Sequence, residues 1–242
     1  MPGACEKSDR DAMTPPDAPA PDTANDILND VPHDAAPAAE LAGSPATRKR
    51  PKPGERRVQI LQALAAMLEV PGAERITTAA LAARLGVSEA ALYRHFASKA
   101  QMFEGLIGFI EETLFTLANQ ILEREPEPAR QVARTVTVVL QFAEKNPGMA
   151  RVMAGDALVF ENERLAARMN QCFDRLESVL RQSFKALLDQ QGSGQPTADA
   201  QARASVAICL VQGRLHRFAR TGFKRSPAEH LEATLRQLLA AS

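Results

Sequence analysis

From residue 55 onward apolar residues return every three or four positions, and where the rhythm breaks the sequence places glycine, proline or a hydroxylated residue. Leu61, Leu64, Ala65 and Leu68 fall at i, i+3, i+4 and i+7 and predict a helix from Glu55 to Glu69, stopped by Pro71-Gly72. Two shorter helices follow between Arg75 and Lys99. Thr77 is placed to cap the first, with Ile76 outside and Leu81 four positions in, the spacing of a hydrophobic staple. Ser88 repeats the device with Val87 and Leu92, and Glu89 in the first turn suits the helix dipole. Gly86 sits where the first helix must end, since a positive φ is cheapest there, and Ala82 is small where two helices would cross. The pattern reads as a helix-turn-helix. Leu81, Leu85, Leu92 and Phe96 turn inward; Glu89, Ala90, Tyr93 and Arg94 turn outward with His95 at the margin, as a helix entering a major groove requires.

The remaining rhythm is also helical. Ser98 to Glu123 carries Phe103, Leu106, Ile107, Ile110, Leu114, Leu117 and Ile121 on one stripe, with Phe109 and Phe115 on opposite flanks. After Glu125-Pro126-Glu127-Pro128, a helix from Arg130 to Lys145 turns Val132, Val136, Val139 and Leu140 inward and is stopped by Asn146-Pro147-Gly148. A short segment, Met149 to Met153, leads to a long helix from Glu161 to Gln190, whose apolar face includes Leu165, Met169, Cys172, Phe173, Leu176, Val179, Leu180 and Leu187. Past a loop, QGSGQPT, a helix from Asp199 to Arg220 repeats Ala204, Ile208, Val211, Leu215 and Phe218, with Gly213 offering close approach to another helix. Ser226-Pro227-Ala228-Glu229 reads as a capping box opening a last helix with Leu231, Leu235, Leu238 and Leu239 inward.

Composition agrees with an all-α protein: 45% of residues are hydrophobic but only 5% aromatic, with no tryptophan, so aliphatic helix packing supplies the core. The net charge of zero conceals a division. Residues 1–47 hold nine acids against Lys7 and Arg10, a charge of −7, while residues 48–100 hold ten Lys/Arg against four Asp/Glu, a charge of +6. A polyanion would bind around the helix-turn-helix. Residues 1–53 contain ten of the sixteen prolines and cannot bury enough surface to offset ordering entropy, so no fold is assigned to them. They read as a disordered acidic tail ending in the basic run Arg48, Lys49, Arg50 and Lys52.

Chemistry of catalysis finds no footing. There is no G-x-S-x-G, H-E-x-x-H or Walker loop, the histidines are scattered, and Glu111-Glu112 points to two faces of a helix. Neither a cofactor nor a metal is expected, because Cys5, Cys172 and Cys209 lack zinc-site spacing. Three cysteines cannot all pair, and with no signal peptide and no membrane span in the sequence a cytoplasmic location is expected.

The run TTAALAARLGVSEAALYRHFASK resembles the TetR repressor family, whose DNA-binding end carries a Leu-Tyr-x-His-Phe-x-x-Lys string, matched at Leu92, Tyr93, His95, Phe96 and Lys99. Resemblance to the nucleoid-occlusion members of that family continues through MFEGLIGFIEETL, EKNPGMARVMAGDALVFENERLAARMNQCFDRLESVLRQ and HRFARTGFK, covering about residues 55–240. It implies a TetR-like fold, with a three-helix DNA-binding domain at 54–100 and a helical dimerisation and partner-binding domain at 101–242. It also implies a homodimer, built by the last two long helices meeting their copies and seated on double-stranded DNA with one or more dimers per site. The partner it implies is the division protein FtsZ, engaged over the nucleoid so that ring assembly is blocked there. A ligand-responsive repressor is the alternative. Departures from the resemblance are the acidic tail, Ala97 in place of a proline, and Lys145 in place of an arginine, which forgoes a bidentate contact.

Candidate contacts follow from helix-end chemistry. Thr77 and Thr78 at one helix N-terminus, and Tyr93, His95 and Lys99 around the other, are expected to hold phosphates; Ser88 caps, and Ala90 and Arg94 lie nearer base edges. Phe109 lies at about 240° on its helical wheel with Phe103 at zero, away from the main stripe. Phe109 and Val138 are expected to floor a groove between two helices, with Lys145 at its end, that fits the FtsZ C-terminal tail the resemblance names.

Overall fold

The computed structural model describes residues 54–70, 75–159 and 161–240, and every regular element among them is helical. The helices are α1 (Glu55–Leu68), α2 (Thr78–Leu85), α3 (Glu89–Tyr93), α4 (Lys99–Arg124), α5 (Pro128–Lys145), α6 (Pro147–Ala154), α7 (Glu163–Gln190), α8 (Pro196–Arg220) and α9 (Leu231–Leu239), with a 3-10 turn at Asp156–Leu158. The acidic segment, the basic run through Lys52 and the Pro71-Gly72 stop lie outside the described residues.

The apolar rhythm is read correctly in α4, α5, α7 and α8, whose expected stripes are buried apart from half-buried Leu117, Ile121 and Val179. In α1 the stripe is rotated: Ile60, Leu64 and Leu68 are buried while Leu61 and Ala65 stand at its edge. Glu125 ends α4 and is itself buried, accepting from the Glu127 N–H at 3.1 Å and pairing with Arg134 at 3.5 Å, so the proline-rich turn is fixed by a carboxylate.

The expected capping box before α9 is a correction. Ser226 Oγ accepts from the Ala228 N–H at 3.1 Å, but the Glu229 carboxylate turns to Arg225 at 2.7 Å and His230 takes φ 54°, so the helix starts only at Leu231. The cause is nonlocal. Arg214 of α8, 8% exposed, donates to the Pro227 and Glu229 carbonyls at 2.8 and 2.6 Å and to Thr234 Oγ1 at 3.0 Å, holding that turn open.

α7 and α8 form a long hairpin, stitched by Gln201 to Glu177 and Arg181, both at 2.9 Å. α4 and α5 pack on α7, and α6 lies between α8 and α1. One apolar cluster runs from Ile60 to Leu235, so the division at residue 100 marks a change of role rather than a break in packing. The joint is close: a Cβ added to Gly148, at the start of α6, would stand 2.2 Å from the Ala65 carbonyl oxygen of α1. Arg151 adds a bond to the Leu68 carbonyl at 3.3 Å, which supplies one of the acceptors left open at the end of α1.

Candidate nucleic-acid and partner interfaces

Local chemistry builds the helix-turn-helix as its spacing predicts. Thr77 Oγ1 accepts from the Ala80 N–H at 3.1 Å and Ser88 Oγ from the Ala91 N–H at 3.3 Å. Gly86 takes φ 64°; its N–H reaches the Ala83 carbonyl and the Val87 N–H the Ala82 carbonyl, the paired bonds of a Schellman motif. Ile76, Leu81, Ala82, Leu92 and Phe96 are buried, while Leu85 stands half-buried. Three contacts that the periodicity does not show then lock the unit. Thr78 Oγ1 donates to Glu89 Oε2 at 2.5 Å, tying the starts of α2 and α3. Arg57 of α1 donates to the His95 carbonyl and lies 4.1 Å over the Phe96 ring, fixing the end of α3.

The outward face is the one expected. Ser88, Glu89, Ala90, Tyr93 and Arg94 are exposed, Tyr93 by 46%, and Thr77 is exposed beside them; Thr78 and His95 are half-buried. Lys99 already has an anion. Its ammonium pairs with Glu161, just before α7, and lies 5.6 Å from the centre of the Phe103 ring, with the side chain only 18% exposed. It does not project from the motif as a free cation.

The α4–α5 groove also differs from its expected shape. Val138, Phe142 and Lys145 follow one row of α5 at i, i+4 and i+7, and Phe109 of α4 is tilted against the middle member, ring centres 6.3 Å apart at 42°. Val138 and Phe142 are 8% and 7% exposed, so the floor is a seam that the helices nearly close. What remains accessible is the outer side of half-buried Phe109, with exposed Lys145 at the end of α5. The sequence reading missed Phe142, whose position four residues after Val138 was the available signal. Glu111 is gripped by Arg168 at 2.6 and 3.2 Å, which raises the guanidinium pKa.

Known families match both parts of the chain. Residues 60–106 match the family of bacterial regulatory proteins of tetR type, and residues 129–241 match a tetracyclin repressor-like C-terminal domain of the SlmA-like kind. The nucleoid occlusion factor SlmA of Vibrio vulnificus is 50% identical over 182 residues, which are 75% of this chain and 92% of that relative. The chain belongs to the SlmA family of nucleoid occlusion factors. SlmA of Alteromonas mediterranea is 51% identical over 178 residues, 74% of this chain and 91% of its own. Among solved structures, a TetR-like regulator from Rhodococcus sp. RHA1 has a TM-score of 0.62 at 19% identity, over 80% of this chain and 100% of that one. The fatty acid degradation regulator FadR of Bacillus halodurans gives 0.62 at 15%, over 79% and 98%. These two share the fold. No helix among the described residues is long and apolar enough to cross a membrane, and no group of three His, Cys, Asp or Glu among them could hold a metal ion.

Within the SlmA family setting, the exposed side of α8 gains meaning. Gly213, expected to let another helix approach, has nothing within 4 Å of an added Cβ, and Val206, 58% exposed, and Cys209 lie on the same outward row. No helix among the described residues uses that close approach.

Proposed function

We propose that the chain, as a homodimer, binds chromosomal DNA sites through α2 and α3 and, while bound, engages FtsZ and blocks division-ring assembly over the nucleoid. The observation that carries the reading is the doubly capped motif with Ala90, Tyr93 and Arg94 exposed on α3, in a chain half identical to nucleoid occlusion factors. Thr77, Tyr93 and His95 hold phosphates, Thr78 contributes through its neighbouring backbone N–H because its hydroxyl proton goes to Glu89, and Ala90 and Arg94 read bases. Ser88 acts by capping. Lys99 reaches a phosphate only by leaving Glu161. The α8 row of Val206, Cys209 and Gly213 meets a second copy. The exposed side of Phe109 anchors an extended acidic peptide of FtsZ, Val138 supports it through Phe142, and Lys145 draws in an acidic residue.

The test is binding of labelled chromosomal duplexes by wild type and Ala90→Leu. The proposal expects a bulky residue at Ala90 to weaken cognate sites by tenfold or more, about 1.4 kcal/mol, while nonspecific binding changes little. Equal losses on both would remove α3 from base reading. The repressor alternative has a cavity in its favour, about 260 Å³ between α6, α7 and α8, lined by Met153, Leu158, Met169 and Phe173 together with Asn170 and His216. It is smaller than the usual ~300–1,000 Å³ of ligand pockets, and the family membership favours the first reading.

A further inference from the structure

Lys99 occupies the first position of the 26-residue α4, directly after the cap Ser98, whose Oγ accepts from the Gln101 N–H at 3.1 Å. A cation there is opposed by the positive end of the helix dipole and needs an anion close by. In this structure the anion is Glu161, which comes from the connection between α6 and α7 and is 62 residues distant in sequence. The two side chains are only 18% and 10% exposed, so the pair is partly withdrawn from solvent. Lys99 also rests against the Phe103 ring of its own helix, so its stem has a fixed course. Lys99 follows Tyr93, the last residue of α3, by six positions, and Tyr93 and Arg94 are exposed. The structure supplies one anion for this lysine, an internal carboxylate, and the DNA-binding reading supplies the other, a phosphate of a duplex lying along α3.

We infer that Glu161 is an internal stand-in for DNA phosphate, holding Lys99 until a duplex phosphate displaces it and releases residues 161–162, and with them the Asp156–Leu158 turn, from the DNA-binding unit. The inference rests on the DNA-binding reading given above. Removal of Lys99 is costly to DNA binding because one phosphate contact is lost, whereas removal of Glu161 is favourable because Lys99 is freed in advance. Exchange of one anion for another conserves the ion pair, so the switch costs little apart from the freed carboxylate, which moves into water. The connection it frees runs straight into α7, whose Leu165, Met169 and Phe173 are core residues, and its Leu158 lines the α6–α8 cavity. Occupancy of DNA is thereby felt in the C-terminal domain through a named contact.

The experiment is a double-mutant cycle on full-length protein, read as affinity for a chromosomal duplex at fixed salt. Glu161→Gln is expected to tighten binding about three- to tenfold, the worth of a partly shielded pair, and to have no effect in a Lys99→Ala background. Glu161→Asp, which keeps the net charge but draws the carboxylate back by one methylene, should tighten binding by a smaller factor. Glu163→Gln, an exposed carboxylate two residues on, controls for net charge and should leave affinity nearly unchanged. Hydrogen exchange of residues 156–159 and 161–162 should rise when wild type binds the duplex. Weaker binding by both Glu161 variants would make the pair a static brace, and tightening that persists without Lys99 would be a charge effect; either overturns the inference. If Lys99→Ala itself leaves affinity and salt dependence untouched, the phosphate contact proposed for Lys99 is what fails.

Discussion

Gly148 shows how much one atom decides at the joint between α1 and α6. A methyl group there would press on a backbone oxygen at 2.2 Å, which cannot rotate away, so Gly148→Ala is expected to cost about 1–3 kcal/mol by overpacking and to lower the thermal midpoint. An unchanged midpoint in a calorimetric scan would show that α6 is free to lift from α1. Cysteine chemistry gives a second residue-scale expectation. Cys172 is buried and its thiol is pushed up to about 12, whereas Cys209 is exposed on the single chain and covered where α8 is proposed to meet a second copy, so a thiolate-directed reagent at neutral pH should modify Cys209 only as the dimer dissociates and should spare Cys172 in the folded protein. Peptide mapping after alkylation reads the outcome, and labelling of Cys172 at the Cys209 rate would contradict its burial. Thr77, Gly86 and Ser88 were legible in the sequence because each acts within three residues of itself. The pairing of Lys99 was illegible for the opposite reason: its partner is Glu161, and no local rule reports a carboxylate so distant along the chain.

At the scale of elements, periodicity found all the long helices because burial of a stripe is a property of the helix itself. It failed where a second element sets the outcome. The start of α9 is displaced by Arg214 from α8, and the expected α4–α5 groove is narrowed because Phe142 and Phe109 pack together, which a single helical wheel does not show. Gly213 makes the same point, since its expected neighbour is absent from the chain's own described helices. Substitution of Gly213 by Arg places a long charged side chain on the row shared with Val206 and Cys209, and should shift the protein from dimer to monomer in sedimentation while circular dichroism stays helical. A dimer that survives Gly213→Arg would move the contact off α8. On the α4–α5 seam, Phe109→Ala should reduce affinity for an FtsZ tail peptide about thirtyfold, some 2 kcal/mol, with DNA binding retained, while Lys145→Ala should give a smaller loss that disappears at high salt. Normal peptide binding by folded Phe109→Ala protein would remove this seam from the mechanism.

For the whole molecule the governing quantity is the distribution of charge. A segment of −7 is joined to a DNA-binding part of +6, and tethered opposite charges compete with phosphate most at low ionic strength. Deleting residues 1–47 is expected to tighten nonspecific DNA binding at low salt, with the gap closing as salt rises; equal affinities at low salt would make the segment passive. Above that local competition stands the central claim, that one molecule joins a chromosomal site to the division machinery. Light scattering of FtsZ assembly with GTP, in the presence of this protein and either a cognate or a scrambled duplex, tests it most directly. The account predicts that assembly is suppressed with the cognate duplex and little changed with the scrambled one. Equal suppression with both, or assembly unaffected by the protein with its cognate duplex, would contradict it.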